Sequence, residues 1–476
     1  MYDLVIVGGG IAGLCAALAA PDGARIVVID KGEARAGSSP LAQGGIAAAV
    51  GPEDSPDLHA ADTIKAGAGI CDEQTVRDIC AEGPRAIAWL QELGCDFDRG
   101  EDGGLDLARE GGQTVARSVH WRDATGQEIV RALRTAVRRR NVERVNAAAS
   151  RLIVTHEGCS GVATSQQHFA ADSVLIATGG AGALWGRTTN APGATGDGIV
   201  LAMLAGAQVS DLEFMQFHPT ALDDGSATQR ILLTEALRGE GATLLNERGK
   251  RFVEELAPRH VVTKAILEQA SVTLDCRHIP DLEKRFPTVV AGARARGFDP
   301  VTTPLPIGPA AHYFIGGIAA DASGRTSIPH LFAAGECAAT GMHGANRMAG
   351  NSLLESVVVG RRVGAACARQ AEPRTALFSD TPLASAFQND QPLNERIPEI
   401  MWTDVGPIRD EQRLHDGLAA LGELPASGYT ELCTMIARAA AARLESRGVH
   451  IRSDYPDADP GFAARSFDQH HAHARG

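Results

Sequence analysis

The sequence predicts an α/β fold in which a discontinuous, Rossmann-like domain surrounds an inserted α+β capping domain and precedes a C-terminal helical domain. Three observations predict it. The chain opens as strand, glycine-rich turn, helix and strand; apolar strands ending in glycine turns recur near residues 170–180 and 331–335. Between about Leu212 and Ala311 the composition shifts toward charge and proline, with Pro258, Pro287, Pro300, Pro304, Pro306 and Pro309. Four hundred and seventy-six residues are also too many for one hydrophobic core. The expected division is 1–212 with 312–370, an insert at 213–311, and 371–476 as helices ending in a frayed tail.

Leu4–Val7 reads as a buried strand, followed by Gly8-Gly9-Gly10-Ile11-Ala12-Gly13 and an Ala/Leu-rich helix to about Ala20. Arg25–Asp30 is the second strand. Gly8, Gly10 and Gly13 stand in G-x-G-x-x-G register, and Asp30 closes the second strand 22 residues after the first glycine. In that context the motif is a dinucleotide site: the glycines allow the turn, the pyrophosphate approach and helix packing, and Asp30 takes the adenosine ribose. Residues 60–95 carry helical spacing. Ala170–Ala177 is a strand ending in Thr178-Gly-Gly180, and Asp197 leads into another Ala/Leu helix. Strand chemistry returns near His312–Ala320 and at Leu331–Ala334. Ser352 to Glu355 has capping-box spacing, so a helix is expected from near Ser352 to about Arg369. Pro373, Pro382 and Pro392 mark a linker; Leu414–Leu421 and Tyr429–Leu444 read as helices. The histidines at 470, 471 and 473 read as a terminal tail, not a metal site.

Forty-five basic and 58 acidic residues give a net charge of −13, which argues against nucleic acid or an anionic membrane as partner. An anionic substrate must then be drawn by local positive charge. No apolar run reaches the length of a membrane span. Met1-Tyr2-Asp3 leads straight into a strand, so no signal peptide is expected. Nine scattered cysteines without a Cys-x-x-Cys pair read as reduced thiols, and a cytoplasmic location follows as the expectation.

Residues 335–355 concentrate the chemistry: Glu336 after an apolar strand, Arg347, and a helix start whose free N–H groups favour an anion. This segment reads as the meeting place of an anionic cofactor edge and an anionic substrate. The stretches 39–46, 213–222, 233–241, 256–259, 311–317 and 343–347 make the reading specific. They include Ala42-Gln43-Gly44-Gly45, Gln216-Phe-His218-Pro-Thr, Thr234-Glu235-Ala-Leu-Arg238, Ala-Pro-Arg259, Ala311-His312 and His343-Gly-Ala-Asn-Arg347. Together they resemble the succinate dehydrogenase/fumarate reductase flavoprotein superfamily, from residue 1 to about 455, and within it most closely the branch that oxidises aspartate.

The resemblance implies an FAD-binding domain and FAD-dependent oxidation of L-aspartate to iminoaspartate, the first step of de novo NAD biosynthesis. Hydride passes to flavin N5, with reoxidation by O2 or fumarate and a hand-off to quinolinate synthase. A soluble fumarate reductase or succinate dehydrogenase flavoprotein subunit is the alternative. Substrate carboxylates would be bound by Gln216, His218, Thr234, His312 and Arg347. Arg259 would move the proton at substrate carbon, with Glu235 and Arg238 as relay. Such a base is unusual because arginine ordinarily titrates above ~12; it requires burial beside other cations. Flavin contacts would come from Gly8, Gly9, Gly10, Ile11, Ala12, Gly13, Asp30, Lys31, Ser38, Ser39, Gln43, Gly44, Gly45, Asp197, Glu336, Asn351, Ser352 and Leu353. Glu336 matches the position that binds the ribityl hydroxyls.

Two residues separate the branches. Ser38 stands where membrane-linked members carry a flavin-bonding histidine, so the FAD is expected to be non-covalent. Glu110 stands where a glutamate distinguishes an amino-bearing substrate; a carboxylate there favours an ammonium and repels a second anion. The chain departs from the family pattern at Gln113, usually histidine, at His260, usually aspartate, and at Lys264, often arginine. The stretch from Asn246 to Arg259 is short.

Overall fold

In a computed structural model the described residues are 1–32, 37–140, 142–225, 229–367 and 392–469. Most of the expected linker, the end of the helix beyond 367 and the three terminal histidines lie outside them.

The opening strand Tyr2–Val7 sits inside a seven-stranded sheet. Ile26–Asp30 pairs with it in parallel on one side, and Glu143–Asn146 continues beyond in the same sense. His168–Ile176 pairs in parallel on the other side. The far edge of that strand is shared: its first residues pair with the antiparallel hairpin Ala149–Thr155 and Gly158–Thr164, its last with Leu331–Ala333. The parallel strands Tyr2–Val7, Ile26–Asp30, His168–Ile176 and Leu331–Ala333 therefore end along one edge. Their continuations, Gly8, Lys31, Thr178 and Gly335–Glu336, meet there, although more than 300 residues separate the first from the last. Open α/β sheets place ligands at this carboxyl edge.

Two helices cover one face, Ile11–Ala19 and Asn351–Ala366. They cross closely because Gly360 and Gly364 present no side chain: a Cβ at Gly364 would lie 2.1 Å from the Ala16 carbonyl oxygen. Gly364→Ala is accordingly expected to destabilise the protein by about 1–3 kcal/mol, read as a lower denaturant midpoint; an unchanged midpoint would show that the helix pair tolerates the methyl.

The expected capping box does not form. The helix starts at Asn351, and Gly350, in the left-handed region at φ 83°, turns the chain into it with no side-chain cap. Ser352 Oγ lies 3.2 Å from Arg347 Nη1 instead. Glu355 points into the core, where Thr340 Oγ1 at 2.5 Å and His343 Nε2 at 3.0 Å engage it. The physical reason is burial: Glu355 is 1% exposed and lies one turn from Asn351 on the helix's inner side.

The inserted unit is built on a four-stranded sheet in the order Met215–Leu222, Leu305–Phe314, Val272–Asp275, Thr243–Asn246, with a separate apolar core that includes Leu233, Leu244, Val262, Leu274 and Val289. The C-terminal part supplies helices Ile397–Asp404, Glu411–Gly422 and Gly428–Ala442. The first of these falls outside the sequence-predicted helices. Phe467–Gln469 pairs with Gln208–Ser210, so the chain returns to a sheet before the terminal histidines.

Candidate active site

A cavity of about 440 Å³ follows the carboxyl edge of the large sheet from the opening glycine turn to Arg259 under the inserted unit. At one end lie Gly8, Gly9, Gly10, Ile11 and Ala12, with Asp30 closing the second strand beside them. Gly8 has φ 112°, and a Cβ there would meet the Ala177 carbonyl oxygen at 2.2 Å, so only glycine makes this turn. Gly13 packs behind the turn: its own Cβ would strike the Gly8 carbonyl. Lys31 forms an ion pair with Asp197, and both line the cavity. Ser38 Oγ accepts a hydrogen bond from the Ala191 N–H, and Ser39, Gln43, Gly44 and Gly45 continue the wall.

Glu336, after the Leu331–Ala333 strand, accepts from the Phe314 N–H at 3.0 Å. Burial pushes its carboxyl up to about 7, against the pull of that N–H and of Arg347. A carboxyl poised there suits hydroxyl partners better than a cation. Ser352 and Leu353 reach the cavity at the helix start. Asn351 does not: its side chain is held behind the wall by His59 Nε2 at 2.8 Å and Thr63 Oγ1 at 2.9 Å. The fit of a flavin dinucleotide has a mark in the wall itself. Gln43 spends its amide N–H on the Leu232 carbonyl at 3.0 Å, leaving Oε1 buried and without a partner.

The other end is crowded with buried charge. Arg259, at the start of the Arg259–Leu267 helix, donates from Nε to Glu235 Oε2 at 2.7 Å and from Nη1 to Gln216 Oε1 at 3.0 Å. Glu235 also pairs with Arg238 Nη2 at 3.4 Å and accepts from the Gly111 N–H at 2.7 Å. Burial alone would raise the Glu235 carboxyl; Arg259 and Arg238 overrule it and hold it at about 2. Arg238 is fully enclosed behind this pair and reaches the Glu255 carbonyl.

Gln216 is no part of the cavity wall. Its Oε1 receives Arg259 Nη1 and, at 3.3 Å, Arg347 Nε; its Nε2 donates to Asn346 Oδ1 and the Arg347 carbonyl. The amide thus sets the spacing of two guanidinium groups. Arg347 packs 4.8 Å over the Tyr313 ring. Burial, then the neighbouring Arg259, lower Arg347 to about 10.

His218 and His312 stand edge to face, 4.9 Å between centroids. Burial first, then Arg259 and the other arginines, keep His218 well below the usual histidine range; burial, His218 and Arg259 do the same to His312. Both are neutral. His218 Nδ1 accepts from the Thr220 N–H at 3.3 Å, so its proton sits on Nε2, leaving that nitrogen a donor. Thr189 Oγ1 holds His312 Nδ1 at 2.8 Å. Thr234 caps the short helix Glu235–Gly239 and lines the cavity.

Glu110 enters this end from a remote loop, brought in by the Gly111–Glu235 bond. It accepts from the Gly45 N–H at 3.2 Å. Burial and then Glu235 raise its carboxyl, while Arg259 opposes them. Of the departures, His260 is lowered mainly by burial, with Asn346 opposing, whereas Lys264 is exposed. The short stretch before Arg259 is drawn in by Arg251 gripping Glu255 and by Arg238 on the Glu255 carbonyl.

Sequence reasoning did not single out Thr189, Tyr313 or the Glu355–His343 pair. The one available signal was Glu355, an acid on the inward face of a helix otherwise occupied by Leu354, Val357 and Val358.

The family model described as FAD binding domain matches residues 3–353, and that described as fumarate reductase flavoprotein C-term matches 426–474. The chain is 42% identical to the L-aspartate oxidase of Streptomyces coelicolor, covering 96% of this chain and 89% of that protein. It is also 42% identical to the L-aspartate oxidase of Mycobacterium leprae, covering 97% and 94%. Among solved structures it is similar to a quinol fumarate reductase of E. coli, with a TM-score of 0.89 at 29% identity over 99% of this chain and 94% of that one. No helix among the described residues is long and apolar enough to cross a membrane.

Proposed function

This chain belongs to the L-aspartate oxidase family of FAD-dependent oxidoreductases, and from that premise we propose how its residues divide the work. The reaction is the oxidation of L-aspartate to iminoaspartate, the first step of de novo NAD biosynthesis. FAD, once bound, would supply the two-electron acceptor for the hydride that the substrate loses. The cofactor would be held without a covalent bond: the 8–13 turn and its helix would cradle the pyrophosphate, Asp30 the adenosine ribose, Glu336 the ribityl hydroxyls, and the helix start at Ser352 and Leu353 the ring.

One observation carries the substrate reading. Three buried arginines, 238, 259 and 347, gather against Glu235 and Glu110 beside two neutral imidazoles. This excess of fixed positive charge suits a dicarboxylate. Arg347 holds one carboxylate; His218 Nε2, His312 and Thr234 donate to the other. Arg259, steadied by Gln216, yields a proton to Glu235 and removes one from substrate C3, so that loss of hydride from C2 and of a proton from C3 leaves the enamine tautomer of iminoaspartate. A carboxylate at about 2 does not keep a proton, so Glu235 hands it to Arg238, which gives up one of its own in accepting it, and no member of the relay ends with an added proton. Direct oxidation of the C–N bond is the rival route. Glu110 receives the substrate ammonium, which succinate lacks. The insert at 213–311, set between 1–212 and 312–370 and followed by 371–476, closes over the site to exclude water.

Reoxidation falls to O2 or fumarate, and the unstable product passes to quinolinate synthase. The working location is the cytoplasm, in keeping with nine cysteines held as thiols. Anaerobic mixing tests the substrate reading: L-aspartate is expected to bleach the flavin absorbance and succinate to leave it, and bleaching by succinate alone would sink it. Glu110→Gln is expected to raise the KM for L-aspartate about 10-fold or more, since a hydrogen-bonded charge is lost, and to affect fumarate reduction less. Equal loss of both would remove Glu110 from substrate choice.

A further inference from the structure

Glu110 is buried among unlike company. Glu235, Arg238, Arg259 and Arg347 all act on it electrostatically, and burial disfavours its charge. An ammonium acceptor must nevertheless be ionised and must turn its lone pairs toward the substrate. Its surroundings show how this is arranged.

Gln113, three residues on and 3% exposed, places Oε1 3.0 Å from the Glu110 backbone N–H. A backbone N–H can only donate, so the amide oxygen faces it and the amide orientation follows. Nε2 then points the other way, 2.9 Å from Ser118 Oγ and 3.5 Å from the Ala349 carbonyl, which can only accept. Both neighbours of known polarity agree. Ser118 Oγ is therefore an acceptor toward Gln113, and its single hydrogen is left to turn toward the Glu110 carboxylate, whose charged form Ser118 favours; the two residues meet at Gly45, which donates to Glu110 and where an added Cβ would lie 2.9 Å from Ser118 Cβ. The Gly45 N–H supplies the second donor, at 3.2 Å. Gln113 cannot titrate, so this polarity does not reverse with pH.

We propose that Gln113 and Ser118 are positioning residues for substrate choice: the amide orients the Ser118 hydroxyl so that it donates to Glu110, keeping that carboxylate an acceptor for the substrate's amino group. The inference rests on the role given to Glu110 above. Neither residue touches the reacting atoms.

The test uses the FAD-loaded, full-length enzyme and compares the KM for L-aspartate with the inhibition constant of succinate from pH 6 to 9. Ser118→Ala and Gln113→Leu are the variants, with flavin retention and circular dichroism as checks on folding. In both, the KM for L-aspartate is expected to rise about 10-fold near neutrality, consistent with losing a hydrogen bond to a charged group. Succinate should bind equally or more tightly, and the pH at which aspartate binding reaches its plateau should move upward. Ser118→Thr, which keeps the hydroxyl, should recover most of the preference. General loosening of the site would weaken aspartate and succinate together, and that result overturns the proposal. So does an aspartate-to-succinate preference within two-fold of the parent in both variants. If the parent itself does not prefer aspartate, the Glu110 reading fails first; if the parent discriminates and the variants match it, only the present inference fails.

Discussion

Arg259→Leu is expected to lower kcat with L-aspartate by about 10²- to 10⁴-fold, the range of a lost general acid–base group, while the protein keeps its FAD. Arg259 belongs to the inserted unit, and its bonds go to Glu235 and Gln216, not to the glycine turn or to Glu336. Its removal therefore takes the proton carrier and leaves the cofactor end of the cavity intact. Arg259→Lys should rescue little. The ε-ammonium is a point charge, whereas the guanidinium reaches Glu235 and Gln216 through two nitrogens at once. The measurement is steady-state turnover together with the flavin absorbance of the purified variant. Activity within 10-fold of the parent, with flavin bound, would show that another group carries the proton.

The second large effect is expected for Glu235→Gln. Among the described residues, Glu235 is the single carboxylate contacted by both Arg259, at 2.7 Å, and Arg238, at 3.4 Å. The amide can still accept from the Gly111 N–H, so shape is retained and charge is removed. Taking one partner from a buried ion pair costs about 3–5 kcal/mol, because the remaining charge stays buried without compensation. Here two guanidinium groups are left facing each other. The variant should unfold at a clearly lower denaturant concentration, and its kcat should fall by about 10²-fold or more through the broken relay. The pH dependence gives a separate check. The Glu235 carboxyl is held at about 2, below its unfolded value, by Arg259 and Arg238 outweighing burial. A depressed carboxyl contributes stability above its unfolded pKa and loses it as pH falls toward about 2. The stability gap between parent and variant should thus be full at neutrality and shrink in acid. A gap that stays constant down to pH 3 would mean that the loss is one of packing.

Much of the fold and cofactor end was legible from residues close in sequence. The 8–13 turn and Asp30 lie within one strand–turn–helix–strand unit, and each glycine's task follows from its place in that unit. The structure puts Gly8 at positive φ and Asp30 beside Gly9. The strands at 170–177 and 331–334 were legible for the same reason: a short apolar run with a glycine after it is a local signal. Ser352 and Glu355 show where local signals mislead. Their spacing fits a capping box, but a carboxylate can serve a helix end or a buried histidine, and the spacing is identical in both cases. The outcome was set by Tyr313, His343 and Thr340, which lie outside the helix.

By itself the sequence determined the order of elements, the dinucleotide turn, the residue types available for a dicarboxylate, and the family to which those motifs point. These are properties of composition and short-range spacing. The tertiary structure alone decided which partner each charge has. Gln216 reads as a substrate ligand until Arg259 and Arg347, 43 and 131 residues away, are seen on its one oxygen. Glu110 matches a substrate-choosing glutamate in the sequence, but only the fold shows Gly111 tied to Glu235 and Gln113 set between the Glu110 N–H and Ser118. A hydrogen bond acts over about 3 Å and is blind to separation along the chain, so periodicity and spacing cannot report it. What a buried charge does depends on those contacts, and only the folded chain supplies them.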